Sequence, residues 1–127
     1  MIVGVGVDLV DIDRVARLID TKGDRALRRL FSDVEIAYAS RRASPAMHLA
    51  ARLAAKEATY KALSGSPLAR GIGWREIEVG NGEDGQPVLV LHGRARERAD
   101  ELAVARLLLT MTHSAAIACA VVIAERD

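Results

Sequence analysis

The sequence predicts an α+β fold, in which a single domain spanning residues 1–127 combines a mostly antiparallel sheet with one long central helix and shorter helices. Three observations favour this fold. The stretch 44–65 carries helix signals at its start, along its body and at its end. Apolar segments with strand character stand at both ends of the chain. No repeat, linker or low-complexity segment divides the sequence, and 127 residues suffice for one modest core.

The first strand is predicted at Met1–Val10, where apolar residues occupy both faces and indicate an internal strand. Gly4 and Gly6 fall on one face, where the missing side chains would let another element pack closely. Asp8 lies near the end of this strand. A buried carboxylate needs a hydrogen-bonding partner or a cation, so Asp8 is either a turn former together with Asp11 or a functional residue.

A short helix is predicted next, beginning at Asp11 or Asp13, running to about Ile19 and closed by a turn at residues 20–23. Basic residues are concentrated in this helix and just after it: Arg14, Arg17, Arg25, Arg28 and Arg29. With the leucines between them, these residues would suit an acidic amphipathic partner helix. A solvated basic face is the simpler interpretation for each arginine taken alone.

A second short helix begins at Ser32 and ends near Ser40. Ser32 and Glu35 fit a capping box, and Phe31 with Ile36 fits a hydrophobic staple, so the sequence favours a structural role for Glu35.

The long helix lies between an N-cap at Ser44 and a C-terminal glycine at Gly65, followed by Pro67. At 100° per residue its polar side chains form two stripes. One stripe contains His48, Arg52 and Thr59 with Lys56 at its edge, and the other contains Glu57, Lys61 and Ser64. Glu57 and Lys61 are either an ordinary i,i+4 ion pair or a metal-binding carboxylate beside a phosphate-binding ammonium.

The remaining elements are predicted as a loop after Gly65, strands at Trp74–Val79 and Val88–His92, a helix at Gly93–Ala105, and strands at Arg106–Thr112 and Ala116–Ala124. His113 lies between the last two strands. A lone histidine in such a place is more often structural than catalytic.

Composition excludes several classes of function. The net charge of +1 and the presence of only four aromatic residues argue against a nucleic-acid-binding protein. The single cysteine, Cys119, cannot form an internal disulfide or a thiolate metal site. Because no signal peptide or membrane-length apolar run is recognisable, we expect a cytoplasmic protein without a membrane partner.

Taken together, the motifs resemble those of the holo-acyl-carrier-protein synthases, the short bacterial type of 4′-phosphopantetheinyl transferase. The similar segments are GVGVDLVDIDR, FSDVE, RLAAKEATYKAL, GIGWREIEV, GQPVLVLHGRA and TMTHSAAIACAVVI, and they span essentially the whole chain. The chain departs from the usual motifs at Thr110 and Ser32, and neither position bears on the proposed metal site.

The resemblance implies Mg²⁺-dependent transfer of 4′-phosphopantetheine from coenzyme A (CoA) to a serine of apo-acyl carrier protein, with release of adenosine 3′,5′-bisphosphate, as part of fatty acid biosynthesis. It implies that Asp8 and Glu57 hold Mg²⁺ and that Lys61 binds the diphosphate of CoA. It also implies that Arg52 and His48 bind the 3′-phosphate or nearby parts of the nucleotide. It further implies a homotrimer with active sites between subunits. The carrier protein is expected on the early helices, at Arg14, Arg17, Arg25 and Arg28.

The identity of the base that deprotonates the serine stays open, and the candidates are Glu57, a metal-bound water and His113. Two other functions are alternatives to the transferase: a non-catalytic trimeric module that binds CoA or a carrier protein, and a nucleic-acid-binding module that uses the arginines.

Overall fold

The structure, a computed structural model, describes all 127 residues. Its strands are β1 (Ile2–Asp11), β2 (Ile77–Asn81), β3 (Pro87–Leu91), β4 (Arg106–His113) and β5 (Ile117–Glu125). Its helices are α1 (Ile12–Leu30), α2 (Asp33–Ser40), α3 (Pro45–Ala62), α4 (Pro67–Arg70) and α5 (Gly93–Glu101). All strand pairs are antiparallel, which confirms the predicted α+β class.

The strands form a three-stranded sheet in the order β1-β5-β4 and a separate hairpin of β2 and β3. The prediction of an internal first strand was wrong, because β1 pairs only with β5 and forms an edge of its sheet. One face of that sheet packs against α3, whereas Val5, Val7 and Leu9 on the other face are each more than half exposed. Both faces of β1 are therefore apolar, as the sequence indicates, but only one of them is covered within a single chain.

The long helix α3 crosses the larger sheet at backbone contact distance. Gly4 and Gly6 of β1 face the carbonyl oxygens of Ala62 and Ala58, and an added Cβ at either glycine would overlap them. This contact confirms the close packing expected from the two glycines. It also brings the strand end that carries Asp8 against the part of α3 that carries Glu57 and Lys61.

Helix α1 is longer than predicted. It begins after an N-cap at Asp11, whose side chain accepts a hydrogen bond from the Asp13 amide at 3.1 Å. Gly23, with φ of 66° and ψ of −157°, interrupts the helical geometry at the expected turn, but the helix resumes and continues to Leu30. Only glycine adopts such a backbone conformation easily, so the sequence marked the break correctly but not the helix after it.

Glu35 and Lys56 form a fully buried ion pair at 2.7 Å that joins α2 to α3. The predicted capping box is present, with the Ser32 amide donating to Glu35 Oε1 at 2.8 Å and the Glu35 amide donating to Ser32 Oγ at 3.3 Å. Glu35 Oε2 also accepts from the Val79 amide at 2.8 Å. This one carboxylate therefore joins three elements, α2, α3 and β2.

The segment predicted as a strand from Trp74 begins instead as a 3₁₀ turn at Trp74–Glu76, and β2 starts at Ile77. The Glu76 carboxylate explains the turn, because it accepts hydrogen bonds from the amides of Gly73 and Arg94. Lys56 Nζ also donates to the carbonyl oxygens of Trp74, at 3.0 Å, and Ile77. None of the helices has both the length and the apolar character needed to cross a membrane.

Candidate active site

Asp8 and Lys61 form an ion pair between β1 and α3. Lys61 Nζ lies 2.9 Å from Asp8 Oδ1 and 3.0 Å from the Val7 carbonyl oxygen, to both of which it donates hydrogen bonds. The carboxylate is mostly buried, whereas about half of the Lys61 side chain is exposed. Lys61 thus pairs with Asp8 rather than with Glu57 one turn earlier in the helix. Its ammonium faces both the protein and the surrounding solution.

Asp8 and Glu57 place two carboxylates close together. Asp8 Oδ2 is buried and has no hydrogen-bond donor. Burial raises the pKa of Glu57 to about 7, and the nearby Asp8 adds to the shift both as an acceptor for the protonated Glu57 and as a negative charge. Lys61 and Arg14 oppose this shift but do not cancel it. The two carboxylates therefore carry negative charge that Lys61 and Arg14 only partly neutralise.

This arrangement fits a magnesium ion. Nowhere in the chain do three or more His, Cys, Asp or Glu side chains group into a full set of protein ligands. Mg²⁺ is commonly held by only one or two carboxylates, with waters and substrate phosphates completing its shell. The orphaned Asp8 Oδ2 and the raised pKa of Glu57 are the features that a divalent cation would relieve.

A cavity of about 380 Å³ opens beside these residues. Glu57, Lys61 and the buried Lys56 are among its lining residues. Its other lining residues include Tyr60, Arg70, Ile72 and Trp74. The cavity thus combines cationic groups with apolar and aromatic side chains, which suits a ligand that carries both anionic and apolar groups.

His48 and Arg52 lie in a second cavity, of about 240 Å³, together with Tyr38, Asn81 and His113. Arg52 is only 3% exposed, and its Nε is buried without an acceptor. Burial lowers the pKa of His48, and the charges of Arg52 and Arg42 lower it further, so His48 is neutral at pH 7. Since no acidic residue lines this cavity, it suits an anion.

The structure therefore divides the predicted site residues into two groups. Asp8, Glu57 and Lys61 come together at one end of α3, whereas His48, Arg52 and His113 share the other cavity. His113 is exposed and is not among the residues lining the cavity at Glu57 and Lys61.

The predicted partner-binding arginines are exposed on α1. Arg14 and Arg17 line a further cavity, of about 310 Å³, whose wall also includes Glu57 and Trp74. Arg25 and Arg28 lie beyond the break at Gly23 and do not line it. Arg14 and Arg17 on the basic face of α1 thus share a cavity with Glu57.

Sequence reasoning missed Tyr38, Arg42 and Trp74. Tyr38 contacts the guanidinium groups of Arg42 and Arg52, and Trp74 lines both cavities that adjoin Glu57. The scarcity of aromatic residues was the only available signal, because each of these contacts joins segments that are far apart in sequence or separated by a turn.

Comparisons with known proteins place this geometry in context. Residues 4–121 match the family described as the 4′-phosphopantetheinyl transferase superfamily. The holo-[acyl-carrier-protein] synthase of Solibacter usitatus is 45% identical over 125 residues, which cover 98% of this chain and 99% of that protein.

Solved structures are similar over nearly the whole chain. The crystal structure of the holo-[acyl-carrier-protein] synthase from Neisseria meningitidis has a TM-score of 0.85 at 28% identity, covering 99% of this chain and all of that one. The ACPS-CoA complex of Chronobacterium ammoniagenes has a TM-score of 0.82 at 31% identity, covering 98% and 97% of the two chains.

Proposed function

Because the chain belongs to the 4′-phosphopantetheinyl transferase superfamily, we propose that it transfers 4′-phosphopantetheine from CoA to a serine of apo-acyl carrier protein at the site formed by Asp8, Glu57 and Lys61. The chain is an enzyme of this class, and CoA and the apo-carrier protein are its substrates. The observation that carries the assignment of the site is the convergence of Asp8 and Glu57, which lie on different elements, beside the Lys61 ammonium.

In the reaction, the serine oxygen attacks the phosphorus that bears pantetheine, and the bond from that phosphorus to the bridging oxygen breaks. The leaving group is adenosine 3′,5′-bisphosphate. Lys61 binds the diphosphate and balances part of its negative charge. The serine proton passes to Glu57, to a water molecule or to His113 supplied by an adjoining copy of the chain.

Asp8 and Glu57 would hold Mg²⁺, with the remaining ligands coming from water and the diphosphate. A bound magnesium ion stabilises charge that develops on phosphate oxygens, which is worth several kcal/mol in such transfers. The protein contributes the placement of the two carboxylates, which the backbone contact between β1 and α3 keeps rigid.

His48 and Arg52 bind the 3′-phosphate of CoA in this proposal. Within one chain, their cavity is separate from the one that adjoins Asp8 and Glu57. One CoA molecule would therefore bind to Asp8 and Glu57 of one subunit and to His48 and Arg52 of another. A homotrimer with active sites between subunits meets this requirement. The uncovered apolar face of the larger sheet, with Val5, Val7 and Leu9, supplies a surface for the assembly.

The carrier protein docks on α1 at Arg14, Arg17, Arg25 and Arg28. Arginine side chains match the carboxylates of an acidic helix, and Arg14 and Arg17 adjoin Glu57 across one cavity. A serine on a carrier bound there would approach the diphosphate from the side of α1. The protein would work in the cytoplasm, in fatty acid biosynthesis.

A mass measurement tests the proposed function. Purified protein with Mg²⁺ and CoA is expected to add about 340 Da to an apo-carrier protein, the mass of the phosphopantetheine group. Omission of CoA is the control. If CoA raised the Tm of the protein but no mass were added, the non-catalytic binding module would replace the transferase.

A further inference from the structure

The Tyr38 ring contacts a cluster of basic side chains near the turn from α2 to α3, formed by Arg42, Arg52 and His48. The guanidinium carbon of Arg42 is 4.2 Å from the centroid of the Tyr38 ring, and that of Arg52 is 4.1 Å from the same centroid. The ring of His48 meets Tyr38 edge to face, at 5.7 Å and an interplanar angle of 77°. One aromatic ring thus contacts three groups that carry or can carry positive charge.

The guanidinium groups of Arg42 and Arg52 carry like charges and lie close together. Since both guanidinium carbons are close to one ring centroid, they can be at most 8.3 Å apart, the sum of 4.1 and 4.2 Å. Attraction between a cation and the face of an aromatic ring offsets their repulsion. The same proximity lowers the pKa of the Tyr38 hydroxyl, with the Arg42 guanidinium contributing most and the Arg52 guanidinium adding to it.

No carboxylate is free to neutralise the cluster. Glu35 is the acidic group whose charge acts on Arg52. Its own oxygens are already bound by Lys56 and by the amides of Ser32 and Val79.

Arg52 also has unused hydrogen-bonding capacity. Its Nη1 makes a long bond of 3.3 Å to the His48 carbonyl oxygen, and its buried Nε has no acceptor. A buried, charged donor without an acceptor is costly. A negatively charged ligand that accepted a hydrogen bond from Arg52 would remove this cost.

We infer that Tyr38 is a positioning residue, whose ring holds Arg42 and Arg52 together so that both guanidinium groups bind the 3′-phosphate of the donor. This inference rests on the proposed function, which places CoA at this cavity. It adds Arg42 to the phosphate-binding residues and makes Tyr38 responsible for the preference for CoA over a donor that lacks the 3′-phosphate. Neither residue lines the cavity at Glu57 and Lys61.

The test compares two donors, CoA and dephospho-CoA, in wild type, Tyr38→Leu and Tyr38→Phe. Leucine removes the aromatic face, so we expect the ratio of kcat/KM for CoA to that for dephospho-CoA to fall by about tenfold or more, mainly through the KM for CoA. Phenylalanine keeps the ring and should retain the ratio to within about threefold. An equal loss with both donors in Tyr38→Leu would show a merely structural role and overturn the inference.

Arg41 and Arg42 give a matched pair, because both are exposed arginines in the same turn and only Arg42 places its guanidinium group over the Tyr38 ring. Arg42→Gln is expected to lower the donor ratio about tenfold, and Arg41→Gln to change it by less than about twofold. Equal effects of the two substitutions would attribute the loss to net charge and contradict the specific role of Arg42.

Calorimetry separates failure of this inference from failure of the proposed function. Adenosine 3′,5′-bisphosphate and AMP differ by the 3′-phosphate, and their binding requires no turnover. Wild type is expected to bind the bisphosphate about tenfold or more tightly than AMP, and Tyr38→Leu to lose most of this difference. If wild type bound both nucleotides equally, the inference would be wrong even if phosphopantetheine were transferred. If the binding preference held but no transfer occurred, only the proposed function would fail.

Discussion

Lys61 of α3 donates a hydrogen bond to Asp8 of β1 at 2.9 Å, although Glu57 lies one helical turn away from Lys61 in the same helix. The pairing leaves Glu57 without its most obvious partner and leaves Asp8 Oδ2 without a donor. The two carboxylates consequently face each other with too little positive charge, which is the physical reason to expect a divalent cation at this point.

Removing either carboxylate is expected to abolish most of the activity. Asp8→Asn and Glu57→Gln each keep the side-chain size but remove a charge, so we predict that the transfer rate falls at least about a hundredfold in each variant. Initial rates of carrier-protein modification measure the effect. Glu97→Gln, at an exposed position on α5, is the control and should stay within about twofold of wild type. A near-normal rate in either site variant would remove that residue from the site.

The raised pKa of Glu57 predicts how stability depends on pH when no divalent cation is present. The pKa is about 7 in the folded chain against 4.5 for an ordinary glutamate, so the folded state binds more protons than the unfolded state between these values. The stabilisation is present below pH 4.5 and is lost as the pH rises through 7. Glutamine stays neutral throughout.

The Tm of Glu57→Gln in EDTA should therefore exceed that of wild type at pH 8 and approach it at pH 5. Mg²⁺ at pH 8 should raise the Tm of wild type more than that of the variant. A Tm difference between the two proteins that is the same at pH 5 and at pH 8 in EDTA would contradict the assigned pKa.

Reversing the charge of Arg14 should affect the two substrates differently. We expect Arg14→Glu to weaken carrier-protein binding about tenfold or more and CoA binding by less than about threefold, since the arginine faces the α1 side of the site. Arg96→Glu makes the same change in charge on α5 and serves as the control. Equal losses of affinity for carrier protein and CoA would disprove the docking surface.

Gly6 tests the close contact that holds the two carboxylates together. Because a Cβ at Gly6 would overlap the Ala58 carbonyl oxygen, Gly6→Ala is expected to reduce the free energy of unfolding by about 1–3 kcal/mol. Urea denaturation measures this change. Gly80→Ala is the matched substitution in β2, where the added Cβ would meet only the Val88 Cγ2 at 3.8 Å and the Val90 Cγ2 at 4.0 Å and should cost less than about 1 kcal/mol. Equal stability of the two variants would show that β1 can move away from α3.

The exposed sheet face predicts an assembly. Leu9→Lys places a charge on the uncovered face of β1, where the side chain is 63% exposed in the single chain, and should convert a trimer into monomers with little activity. Light scattering after size-exclusion chromatography measures the mass. Val34→Lys alters a similarly exposed apolar residue on α2 and should leave the mass unchanged. Dissociation of both variants, or of neither, would argue against this face as the interface.

Local signals in the sequence predicted much of the fold. The capping box of Ser32 and Glu35, the break at Gly23 and the close approach at Gly4 and Gly6 each depend on a few neighbouring residues or on one missing side chain. Such features follow directly from backbone geometry and hydrogen bonding. They were therefore visible without knowledge of the tertiary structure.

Long-range pairing was not visible in the same way. Glu35 caps its own helix, as predicted, but it also binds Lys56, 21 residues later, and the Val79 amide. Lys61 pairs with Asp8, 53 residues away, and not with Glu57. The edge position of β1 depended on strand order, which an apolar pattern does not specify. The grouping of Asp8, Glu57 and Lys61 followed from the family resemblance and not from their spacing.

The most direct test of the central claim, that Asp8 and Glu57 hold a divalent cation which binds the diphosphate of CoA, is calorimetry of CoA binding at increasing Mg²⁺ concentration. The affinity of wild type for CoA is expected to rise with Mg²⁺, whereas that of Glu57→Gln should be nearly independent of it. An affinity of wild type for CoA that stays the same with and without Mg²⁺ would contradict the account.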